Sequence, residues 1–67
     1  MTELEMLDVQ ITIAMILYHK KKKRFYRASM EKDEQGRKCA YIDCLHARSE
    51  LFALKKRKEA LTGGQAN

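Results

Sequence analysis

A chain with no proline, and with Gly36 as its one glycine before the closing Gly63-Gly64 pair, has almost nowhere to interrupt a helix. Thr2-Glu3-Leu4-Glu5 has the form of a capping box, in which the Thr2 side chain takes a backbone amide and Glu5 reaches back. Acidic Glu3, Glu5 and Asp8 crowd the first turns, while Lys20 to Arg24 and Arg27 crowd the last ones. That polarity matches the helix macrodipole and predicts a first helix over about residues 3–30. The polar stretch that follows predicts a turn over about 31–36, with Asp33 able to cap a second helix. Gly36 counts against so early a start, so the second helix is expected over about 37–61, with Gly63 as its C-terminal cap. Residues 1–61 then form one hairpin domain, and 62–67 a flexible tail.

Apolar spacing sharpens this expectation. Leu4, Leu7, Ile11, Ala14, Tyr18 and Phe25 follow a 3-4 heptad rhythm in the first helix, with Lys21 intruding. Ala40, Cys44, Ala47, Leu51, Leu54 and Leu61 do the same in the second, with Lys58 intruding. The two series pair antiparallel when residue numbers sum to 65, and the fold-back then falls between Lys32 and Asp33. Large side chains face small ones in several layers, which suits closely spaced helices. Asp8 is expected beside Lys55, and Arg24 beside Asp43. The predicted fold is all-α, an antiparallel, coiled-coil-like two-helix hairpin.

This seam leaves apolar residues unused. Met6, Val9, Ile13, Ile16 and Leu17 form a second stripe in the first helix, and Ile42, Leu45 and Phe52 another in the second. At roughly 1.5–3 kcal/mol per fully buried large side chain, they hold on the order of 10–20 kcal/mol of unused stabilisation. Such surface marks a protein interface. The simplest expectation is a homodimer, two hairpins forming a four-helix bundle, with a heteromeric partner as the second solution.

The chain's 67 residues allow one domain, too small for a pocket between domains or a parallel sheet with its crossovers. An apolar fraction of 45% with clear periodicity is not that of a disordered chain. The order of acidic start and later basic run is the reverse of a secretory signal. The apolar run Val9 to Tyr18 is about half the roughly 20 residues that a membrane span needs. Cys39 and Cys44 would point about 140° apart on one helix and are expected as free thiols of a cytoplasmic protein.

Fourteen Lys and Arg against nine Asp and Glu give a net charge of +5, much of it in Lys20-Lys21-Lys22-Lys23-Arg24-Phe25-Tyr26-Arg27. Read functionally, Lys20, Lys22, Lys23, Arg24 and Arg27 contact phosphates, and Tyr26 or Phe25 stacks on a base. Read structurally, they are a solvated helix C-terminus. Asp33-Glu34-Gln35, Leu45-His46 and Glu50-Leu51-Phe52 resemble the second helix of small dimeric helical-hairpin proteins that bind RNA loops. The resemblance is one of size and plan, implies RNA more than DNA as the nucleic acid, and makes no family assignment.

Site chemistry is sparse. Cys39, Cys44, His19 and His46 lack metal-ligand spacing, and Ser49 near His46 has no orienting acid, so no metal, cofactor, catalytic residue or small-molecule substrate is expected. The leading reading is a small basic non-enzymatic regulator, adaptor or inhibitor that works by protein–protein interaction and has no membrane role. The alternative is a dimeric hairpin that binds nucleic acid.

Overall fold

The computed structural model describes residues 1–63 and contains two helices, α1 (Glu3–Met30) and α2 (Glu34–Leu61), folded back on each other. Its extents of 45 × 22 × 16 Å are those of a single-layer hairpin, since 28 residues at about 1.5 Å each span about 42 Å. At the start of α1, the Thr2 amide donates to Glu5 Oε1 at 2.8 Å and the Glu5 amide donates to Thr2 Oγ1 at 3.2 Å. The capping box is therefore closed in both directions.

The turn is shorter than its composition suggests: α2 begins at Glu34, three residues before the expected 37. Asp33 is the reason. Its Oδ1 accepts the Gly36 amide at 3.0 Å, and a Cβ on Gly36 would run into that carboxylate. The glycine that looked like a reason to delay the helix thus makes room for its cap. On the α1 side, the Asp33 amide donates to Ala28 O (2.9 Å) and the Lys32 amide to Ser29 O (3.2 Å), the paired bonds of a Schellman motif. Its left-handed position is filled by Lys32, φ 57°, where glycine is usual. At the far end Gly63 takes φ 76° just past α2. Residues 64–67, most of the expected tail, lie outside the described residues.

Burial follows the seam. Leu7, Ala14, Ala28, Ala40 and Leu51 are buried, and Ile11, Tyr18, Lys21, Phe25, Cys44, Ala47, Leu54 and Lys58 are half-buried. Three of the five buried residues are alanines, so the helices approach closely and the core is thin. Ala28, outside the expected series, extends the seam to the turn, while the expected Leu4–Leu61 layer is open, at 38% and 47% exposure. Among the described residues, α1 begins at Glu3 and α2 ends at Leu61, so no further helical turn packs over that layer.

Ion pairs lie along the edges of the seam. Asp43 meets Arg24 at 3.9 Å, as expected, and also Lys21 at 3.8 Å. Asp8 corrects the expected pairing: its partner is Lys58 at 2.6 Å, not Lys55. Lys58 occupies a seam position, and its ammonium leaves the apolar layer toward the nearest carboxylate.

Candidate protein-interaction surface

The seam fixes where every other residue of each helix points. At about 100° per residue, Met6, Val9, Ile13 and Ile16 lie roughly 150° from the seam, on the outer edge of α1. Ile42, Leu45 and Phe52 lie equally far round α2, on the opposite outer edge of the hairpin. All seven, with Leu17, are 41–52% exposed. The expected interface residues are thus outside the fold, but they form two surfaces and not one continuous patch. Leu17 belongs to neither, since it lines a shallow cleft on the hairpin's face with Asp43, His46 and Glu50.

The edges differ in openness. On α2 the Arg48 guanidinium lies 5.0 Å from the centre of the Phe52 ring and covers part of it. Ser49 interrupts the row between Leu45 and Phe52. On α1 no polar residue separates Met6, Val9, Ile13 and Ile16 along their row.

The five expected phosphate contacts are not equivalent. Arg24 already pairs with Asp43, and Lys22 is half-buried with its ammonium 5.3 Å from the Tyr18 ring. Lys20, Lys23 and Arg27 are exposed and have no carboxylate within 4 Å among the described residues. The second basic run is partly neutralised, through Arg57–Glu3 (3.2 Å) and Lys58–Asp8. Tyr41, which sequence reasoning passed over, is exposed with its ring 5.9 Å from that of Phe25. Its signal was present, because Phe25 and Tyr41 face each other one place off the assigned register.

Among the described residues, no group of three or more His, Cys, Asp or Glu side chains is placed to hold a metal ion. Cys39 is exposed and Cys44 half-buried, both as free thiols. No helix of the described chain is long and apolar enough to cross a membrane. Comparison with protein-family models, curated proteins and solved structures finds no match to this chain.

Proposed function

We propose that this chain is a small non-enzymatic adaptor, inhibitor or regulator that acts by protein–protein contact through the outer edges of its hairpin. One observation carries the reading: α1 presents Met6, Val9, Ile13 and Ile16 to water on a face the fold does not use. A third layer would bury such side chains, and the described residues form two helices that pack only on each other. A four-helix bundle is one way to cover them. A two-fold contact takes one edge from each copy, however, and leaves the other edge for a further partner.

The test is sedimentation equilibrium at low and high salt, with helicity followed by circular dichroism. On this reading, the complex formed by the chain persists at high salt and is lost in Ile13→Asp, which stays helical. The second reading, nucleic-acid binding, is favoured by Lys20, Lys23 and Arg27 on successive turns, which have no ion-pair partner among the described residues. It predicts the reverse: association that falls steeply with salt, is abolished by paired Lys22→Glu and Lys23→Glu substitutions, and is indifferent to Ile13→Asp.

A further inference from the structure

The apolar row on the outer edge of α1 has the same spacing read from either end. Met6, Val9, Ile13 and Ile16 follow one another at steps of three, four and three residues. The charges at its two ends are opposite: Glu3 and Glu5 flank its start, and Lys20 continues the row after Ile16. A row with symmetric spacing and opposite ends is complementary to itself once turned end for end.

One antiparallel register joins all four apolar residues. With residue numbers summing to 22, Met6 meets Ile16 and Val9 meets Ile13, and the two-fold repeats both layers. Lys20 then falls opposite Thr2 and within reach of Glu3, whose side chain is still 59% exposed beside Arg57. Symmetry makes that contact twice, once at each end of the row. Shifting the register by one heptad sets Val9 on Lys20 and Met6 on Lys23, or, in the other direction, Ile13 on Thr2. Either shift spends apolar surface on polar side chains. A parallel pairing sets Glu3, Glu5 and Lys20 each on its own counterpart, which is repulsive. The α2 edge lacks this self-complementarity. Turned on itself, it joins Ile42 to Phe52 but Leu45 to Ser49, and Arg48 already covers part of Phe52.

From this we infer that the occupant of the α1 edge is a second copy of this chain, docked antiparallel about a two-fold axis at the level of Ile11. The edge lies roughly 150° from the seam, so the second copy's α1 sits on the side away from α2. The four helices then lie side by side in one open layer, with both α2 edges on its rims, and do not close into a bundle. The apolar layers provide affinity, and the charged ends select direction and register. This inference rests on the protein-contact reading above and names the partner.

The experiment measures distances between nitroxide labels in the full chain by pulsed electron paramagnetic resonance. The native thiols are removed by Cys39→Ser and Cys44→Ala, and one label is carried by Gln10→Cys or, in a second chain, by Arg27→Cys, both exposed positions. Circular dichroism checks helicity, and sedimentation at low and high salt compares the mass with that of the unlabelled chain. The expected result is a salt-resistant dimer with the Gln10 labels within about 20 Å and the Arg27 labels about 50 Å apart, from about 1.5 Å per residue on either side of the axis. Short distances at both sites mean a parallel pairing, and a long distance at Gln10 means a contact through α2. A mass that grows beyond the dimer means that α1 of one copy docks on α2 of the next. Each of these overturns the inference and leaves the protein-contact reading standing. A chain that forms no salt-resistant complex overturns both.

Discussion

Lys58 Nζ lies 2.6 Å from the Asp8 carboxylate, joining the last turns of α2 to the first turns of α1 across the open end of the hairpin. A lysine at a seam position is a mismatch with its layer, and the contact shows how the chain tolerates it. The alkyl stem stays along the seam while the ammonium goes to the rim. An ion pair this exposed contributes at most about 1 kcal/mol. Lys58→Leu is therefore expected to stabilise the hairpin by about 0.5–1 kcal/mol, because seam burial outweighs the lost pair. Urea unfolding of the two chains checks the sign.

The two faces of the helices respond differently to truncation. Leu51 is 5% exposed in a core of five buried residues, so Leu51→Ala should cost about 2–4 kcal/mol. A hairpin of this size has little more to lose, and its helical signal should collapse at 25 °C. Ile13→Ala on the outer edge should change the stability of the isolated chain by no more than about 0.5 kcal/mol. Circular dichroism with urea titration distinguishes them.

The turn holds two opposite opportunities. Lys32 pays for a left-handed backbone that glycine adopts freely, so Lys32→Gly should stabilise the hairpin by about 1 kcal/mol. Asp33→Ala removes the side chain that caps α2 and should destabilise it by about the same amount. Thermal unfolding should move up for the first and down for the second.

The fold was largely legible in the amino-acid sequence because helix period and heptad spacing are local properties. Leu7, Ala14, Ala40 and Leu51 lie in the series that the spacing selects, and all are buried. The start of α2 is only half legible: Asp33 reads as a cap, but Gly36 reads as a breaker until the Asp33 carboxylate is seen to fill the space a side chain there would need. Asp8 was paired with the wrong lysine because flexible stems, not backbone register, decide which ammonium reaches a carboxylate. Candidate interface residues were selected by being left over from the seam. Their division between two opposite edges follows only once each helix is oriented by its buried face.

Glu5 provides a pH signature of the capping box. The Thr2 backbone amide, and secondarily the Thr2 hydroxyl, hold its carboxyl below the ordinary value of 4.5. A carboxylate whose folded pKa is depressed contributes stability that is present above the unfolded value and lost as pH falls through the folded one. Wild type should therefore be more stable than Glu5→Gln near neutral pH, and the gap should close as pH drops below 4.5. Thermal unfolding of both chains across the acid range measures that gap.

The central claim is that α1 folds with one face and leaves the opposite face open for a partner. It is tested most directly by the attenuation of methyl NMR signals by a soluble paramagnetic agent, at a chain concentration where sedimentation shows only monomer. The account predicts strong attenuation for Val9, Ile13 and Ile16 and protection for Leu7 and Leu51. Protection of Ile13 and Ile16 with exposure of Leu7 and Leu51 would contradict it, because the seam and the docking edge would then have exchanged places.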